Sequence, residues 1–224
     1  MKVLLIHGSG PVSQFIKREL EGVSDIEFTC VDYHNYDPAV HCSTDVILSI
    51  ENRKILNAKA LSTATLAAIN IHPGPPHLRG VGTYGRYKLT CARGDNLPFG
   101  FTIHLISEDI DSGRILEFVE IKDCEHLSLE ELIKLTNSRV IEYLKRLMEN
   151  QFSSALIDLL NKDNMYAWRG ALFTRADLDA SQIIKACPDC EQRFQSIIDA
   201  FHLEPFPTII EVGNTKYKLT RVSE

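Results

Sequence analysis

Short, wholly apolar runs alternate along the first half of the chain with stretches whose apolar residues recur at helical spacing. Residues 3–6 form one such run, closed by Gly8-Ser9-Gly10. Phe15, Ile16 and Leu20 then fall on one face of a helix. Residues 26–31, 45–50 and 68–72 read as further strands, and Ile55, Leu56, Ala60, Leu61 and Leu66 recur near helical spacing between the last two. Strands that are apolar without alternation are buried on both faces. This half therefore predicts an α/β fold, a Rossmann-like and mostly parallel sheet with helices on both faces.

The pattern changes after residue 97. Residues 99–106 and 115–121 are β-rich runs joined by a polar segment, and residues 127–148 carry a long amphipathic stripe through Leu129, Leu132, Ile133, Val140, Ile141, Leu144 and Leu147. Ser128 followed by Glu131 gives this helix a capping-box start. The remainder reads as a small α+β unit: a helix from residue 151 toward 164, another over 187–201, and a hairpin turning at Gly213-Asn214. The expected division is a catalytic domain over residues 1–150 and a C-terminal extension over 151–224.

Composition narrows the functional classes. The chain has 224 residues, 44% hydrophobic and 24% charged, with a formal net charge of −6. That balance gives no support to a nucleic-acid partner, which would call for a basic face. The four-residue N-terminal apolar run is too short for a signal-peptide core or a membrane span, so no membrane partner and a cytoplasmic location are expected. Six scattered cysteines read as reduced thiols in that setting. Cys187-Pro-Asp-Cys190 has zinc-like spacing, but His202 alone does not supply a second ligand pair, and no metal is expected.

Two segments carry candidate chemistry. In an open α/β sheet ligands sit beyond the carboxyl ends of the strands. Asn70-Ile71-His72 lies at such an end, and strand alternation puts Asn70 and His72 on one face, ahead of the stiff Pro73-Gly74-Pro75-Pro76 loop. An amide can donate to a developing oxyanion and an imidazole can move a proton, a pair suited to acyl transfer. A loop asparagine and a packed histidine is the competing reading of so short a motif. The second segment runs from His104 to Asp111-Ser112-Gly113. Glu108 and Asp109 fit a solvated turn, whereas Ile110 draws the chain inward just before Asp111.

Together, Asn70-Ile71-His72-Pro73 and His104 with Asp111 seven residues on, then Ser112-Gly113, resemble the folate-dependent formyltransferase family, over roughly residues 1–150. The resemblance implies 10-formyltetrahydrofolate as formyl donor, Asn70, His72 and Asp111 as catalytic residues, and no catalytic part for the other histidines. His104 matches a family position near the folate. Lys54, Ile55 and Leu56, fourteen to sixteen residues before Asn70, resemble the segment lining the pterin pocket, with Ser107, Glu108, Asp109 and Asp111 on its other side.

The acceptor amine rests on the loop. His72-Pro-Gly-Pro-Pro with the following Arg79-Gly80-Val-Gly82 is most similar to the nucleotide-sugar N-formyltransferases, which formylate an amino deoxysugar linked to a nucleotide. That likeness implies Arg79, Gly80 and Tyr84 on the substrate side, a homodimer, and lipopolysaccharide O-antigen biosynthesis as the setting. The segment from Trp168 to Leu178 resembles part of the small extension in those enzymes. Glycinamide ribonucleotide formyltransferase is the alternative, since its glycine-rich loop holds a substrate phosphate where this chain has Gly8-Ser9-Gly10. A non-catalytic folate- or partner-binding module is the alternative of another class.

Overall fold

The structure is a computed structural model, and it describes residues 1–95, 97–149, 151–163, 165–181, 183–185, 191–201, 208–212 and 215–219. Cys187 and Cys190, on which a metal or redox reading would turn, lie outside them, as does the Gly213-Asn214 turn. Strands β1 (Lys2–His7), β2 (Glu27–Asp32), β3 (Thr44–Ile50), β4 (Ala64–His72), β5 (Phe99–Leu105) and β6 (Ile115–Ile121) form one sheet in the order β2-β1-β3-β4-β5-β6. β1 runs parallel to β2 and β3, and β3 to β4. The last two pairings, β4 with β5 and β5 with β6, are antiparallel. The expected mostly parallel sheet is thus present.

Alternation along each strand sorts the sheet into two unequal faces. Val3, Leu5, Leu48, Ile69, Phe101 and Ile103 pack into one large core. Helices α1 (Pro11–Leu20), α3 (Thr83–Ala92), α4 (Leu129–Glu149) and α5 (Phe152–Asn161) cover it. Leu4, Ile6, Ile47 and Ala68 face the other way, into a smaller cluster with Val31, Tyr36, Leu56 and Ala60. The short helix α2 (Ala58–Leu61) lies against this thinner face.

The expected helix through Ile55 and Leu66 shrinks to a single turn, α2 (Ala58–Leu61). Asn57 Oδ1 accepts from the Ala60 N–H at 3.0 Å and starts the turn. The chain then enters β4 at Ala64, in register with Thr44, so Leu66 belongs to the strand, while Ile55 and Leu56 precede the helical turn. Ile55 and Leu66 are 63% and 57% exposed, and their helical spacing was coincidental. The α4 capping box forms as read: Glu131 Oε2 accepts from the Ser128 N–H at 2.8 Å.

Beyond residue 150, α5 returns Phe152, Leu156 and Leu159 to the main core. A three-stranded sheet follows, β7 (Ile183–Lys185) parallel to β8 (Ile209–Val212), which is antiparallel to β9 (Thr215–Lys218). Helices α6 (Arg175–Ser181) and α7 (Glu191–Phe201) complete the unit. Phe201 and Ala200 rest on α3 at Gly85, where any side chain would strike them. No helix among the described residues is long and apolar enough to cross a membrane.

Candidate active site

Asn70 and His72 project from the thinly covered face at the carboxyl end of β4. The antiparallel register sets Asn70 directly opposite His104 and His72 opposite Thr102. Directly opposed side chains on one face meet, so Asn70 Nδ2 lies 3.0 Å from His104 Nε2. Asp111 enters from the turn between β5 and β6. Its carboxylate spans both rings, Oδ2 being 3.2 Å from His72 Nδ1 and Oδ1 3.5 Å from His104 Nε2. His72, His104 and Asp111 are 4%, 3% and 8% exposed, so these three interact almost out of water, with Asn70 partly buried beside them.

The turn is built to present that carboxylate. Asp111 has φ of +45°, a left-handed conformation that few side chains adopt. The Arg79 guanidinium holds it there, donating to the carbonyls of Asp111 at 2.8 Å and Ile110 at 3.0 Å. The Gly80 N–H donates to Asp111 Oδ2 at 2.7 Å. Gly113 passes so close to the Leu105 carbonyl that a Cβ there would collide with it. Ser107 and Ser112 hydroxyls, 2.6 Å apart, close the turn from outside.

The charges follow from these contacts. Burial pushes Asp111 upward, but the His104 hydrogen bond, the His72 ring and the Gly80 N–H outweigh it and hold the carboxyl below its ordinary value. Burial is the largest influence on His72 and lowers it below the ordinary 6.5, against the opposing pull of Asp111. The ring's second nitrogen, Nε2, faces the Leu78 carbonyl at 3.0 Å. Both nitrogens of His72 therefore face acceptors. A neutral imidazole carries one N–H and satisfies one of them; only the imidazolium satisfies both.

The remaining residues singled out in the sequence divide. Leu56 is buried and Lys54 and Ile55 are exposed beside it, Lys54 Nζ donating to the Tyr36 carbonyl at 2.9 Å. Glu108 and Asp109 are exposed on the β5–β6 turn. Arg79 and Gly80 are engaged with Asp111 rather than with open cleft. Tyr84 points into the core, its ring 5.9 Å from Phe99, and burial pushes it far above the usual phenol range. Two partners escaped the sequence reading: the Leu78 carbonyl is backbone, and Glu51 carries no motif. His104 was expected near the folate without a catalytic part, and its contact with Asn70 needed the β4–β5 register. Glu51 Oε2 accepts from Ser13 N at 3.0 Å, filling the start of α1 beside Gly10.

The fold recurs in solved structures. A sugar N-formyltransferase from a Shewanella species matches with a TM-score of 0.74 at 19% identity, over 100% of this chain and 98% of that one. A 4-N formyltransferase from Francisella tularensis matches at TM-score 0.73 and 17% identity, over 100% and 98%. The formyltransferase PseJ from Anoxybacillus kamchatkensis, in complex with UDP-4,6-dideoxy-4-formamido-L-AltNAc and tetrahydrofolate, matches at TM-score 0.60 and 23% identity, over 80% of this chain and 89% of that one. No curated protein matches the sequence. Residues 31–145, half of the chain and all four residues of the cluster, match the family described as formyl transferase, and the chain belongs to that family.

Proposed function

We propose that this enzyme transfers the formyl group of 10-formyltetrahydrofolate to the amino group of a nucleotide-linked amino deoxysugar. The observation that carries the chemistry is the buried Asn70–His72–Asp111 cluster at the carboxyl edge of β4. The substrate nitrogen attacks the formyl carbon, the carbonyl electron pair moves onto oxygen, and an Asn70 N–H stabilises that oxyanion. His72 takes the proton from nitrogen, and collapse breaks the bond to the folate nitrogen, which accepts the proton back from His72. Receipt of the proton charges the ring, and Asp111 at the other nitrogen favours that charged ring over the neutral one before it. Because Leu78 faces Nε2, the amine displaces that carbonyl as the 73–80 loop yields.

Leu56 supports a folate site on the same face: among the described residues no protein group hydrogen-bonds its backbone, which leaves both groups for a pterin edge. Exposed Lys54 and Ile55, with Ser107, Glu108 and Asp109, border that face. The sugar acceptor is supported by likeness along the whole chain to the Shewanella sugar N-formyltransferase, and over 80% of it to PseJ, whose complex holds a UDP-linked formamido sugar. Glu51 adds to it, since its carboxylate occupies the α1 start at which a glycinamide ribonucleotide phosphate would be bound. The reading carries with it a homodimer through residues 151–224, a catalytic unit over 1–150, and a cytoplasmic role in lipopolysaccharide O-antigen assembly. The test is a formyl-transfer screen over UDP-, dTDP- and GDP-linked amino sugars and glycinamide ribonucleotide. A nucleotide sugar is the expected acceptor. Turnover of glycinamide ribonucleotide alone overturns the acceptor, and folate binding without any turnover leaves a non-catalytic module.

A further inference from the structure

The extension reaches the catalytic cluster through one segment. Residues 168–173 lie along the loop that follows His72. The Arg169 N–H donates to the Pro76 carbonyl at 3.0 Å, the Phe173 N–H to Arg79 at 3.2 Å, and the Val81 N–H back to Phe173 at 3.0 Å. Gly80, at φ of +85°, lies so close to the Phe173 carbonyl that a Cβ would collide with it. The Arg86 guanidinium sits 4.5 Å from the centre of the Phe173 ring. The segment is thus a strap, clamped on the loop that supplies Leu78, Arg79 and Gly80 to the cluster.

Trp168 heads this strap. Its ring meets His72 edge-on at 5.6 Å and His104 at 4.9 Å between centres, with interplanar angles of 77° and 88°. Its indole N–H donates to the Gly113 carbonyl at 2.7 Å, which ties it to the turn that presents Asp111. Trp168 belongs to none of the apolar clusters formed by the described residues, so its packing is not that of a core filler. It lies against both buried rings on the thinner face. There it stands between the two buried rings and solvent while remaining partly exposed itself.

We propose that Trp168 is a positioning residue of the active site, contributed by the C-terminal extension, which sets the orientation of His72 and His104 and keeps water from them during formyl transfer. The inference rests on the transfer reading above. Without the indole, water reaches the rings, the Gly113 tie is lost and His72 can rotate within its cavity. The charged and titratable groups around His72 are Asp111 from the β5–β6 turn, His104 from β5 and Arg86 from α3. Admitting water weakens the largest influence on the ring and moves it upward, toward the ordinary histidine range.

Trp168 is the only tryptophan of the chain, so its emission reports on this site alone. A protonated imidazole in contact quenches indole emission. Emission of the unmutated protein should fall as pH is lowered below about 6.5, the ordinary histidine value. His72→Asn should remove that change. In steady-state kinetics Trp168→Ala should lower kcat about 10- to 100-fold, as small misplacements of a catalytic group do. Its folate KM should stay within about twofold and its acidic limb should move to higher pH. Trp168→Phe, which keeps the bulk and loses the N–H, should retain the position of the limb. An unchanged kcat and limb in Trp168→Ala overturns the proposal, as does emission independent of pH in the folded protein. If Trp168→Ala does not fold, Trp168→Phe and the emission titration decide alone. Absence of transfer with every acceptor would count against the function instead, because the titration needs no substrate.

Discussion

His72 carries an acceptor at each ring nitrogen, Asp111 Oδ2 at 3.2 Å and the Leu78 carbonyl at 3.0 Å, in a place almost closed to solvent. Burial favours the neutral ring and the two acceptors favour the charged one, and that opposition suits a group that takes a proton and gives it back. His72→Asn should lower turnover about 100- to 10,000-fold, the range of a positioned acid–base group, while folate affinity measured by titration changes little. Near-normal turnover at saturating substrate would remove the mechanism and leave the fold untouched. Asp111→Asn withdraws the carboxylate that raises His72. Its pH–rate profile should show a lower plateau and an acidic limb displaced to lower pH; a limb moving upward would mean that Asp111 does not act through His72. Glu51 is a different kind of residue. It adopts φ of +53° to bring its carboxylate to the start of α1. Glu51→Ala should cost about 1 kcal/mol, the usual value of a lost helix N-terminal partner, read as a lower denaturant midpoint at unchanged slope.

Among the elements, the loop after β4 and the strap behave as one unit, joined at Gly80 and Phe173. Gly80→Ala puts a Cβ against the Phe173 carbonyl at a backbone angle that side chains avoid. The strain is worth about 1–3 kcal/mol, and the change should both destabilise the protein and lower kcat, because Gly80 N also holds Asp111. A stable variant with full activity would show that loop and strap can part without consequence. The strands of the main sheet were legible because each is a short apolar run bounded by turn residues. So were α4, from its stripe and its Ser128–Glu131 cap, and the Asn70/His72 alternation. The span from Ile55 to Leu66 misled because a helical spacing arose where one turn of helix and a strand abut, with the ends of the pattern in solvent. His104 and Trp168 reach the cluster through register and tertiary contact. Neither property is written in local periodicity, and the sequence resemblance marked their neighbourhoods without their geometry. The likeness places Arg79 and Tyr84 on the substrate side, and nothing in their spacing told that one clamps the Asp111 turn and the other packs on Phe99.

For the whole molecule, the extension both closes the cluster and carries a small sheet whose β8–β9 pair would be marginal alone. The proposed dimer should appear in sedimentation at micromolar concentration, and a lone monomer there would count against it. Stability should also depend on pH in a direction the buried histidines set. Burial lowers His72, and burial with the Arg86 and Arg169 charges lowers His77, both from an ordinary value of 6.5. An unfolded chain binds these two protons as pH falls through that value, whereas the folded chain resists until lower pH. The unfolded state thus holds more protons, and stability must rise with pH across this interval. The contribution is complete above the ordinary histidine value and is lost as pH falls through the depressed folded ones. Asp111 is also depressed, from 3.8, so its contribution is intact across the histidine window and fails only in stronger acid. The urea midpoint should therefore fall between about pH 7.5 and pH 5. His72→Asn with His77→Asn should flatten that fall even if it lowers the midpoint throughout. A midpoint that rose toward pH 5, or a fall of the same steepness in the double variant, would show that other groups govern the acid stability of the fold.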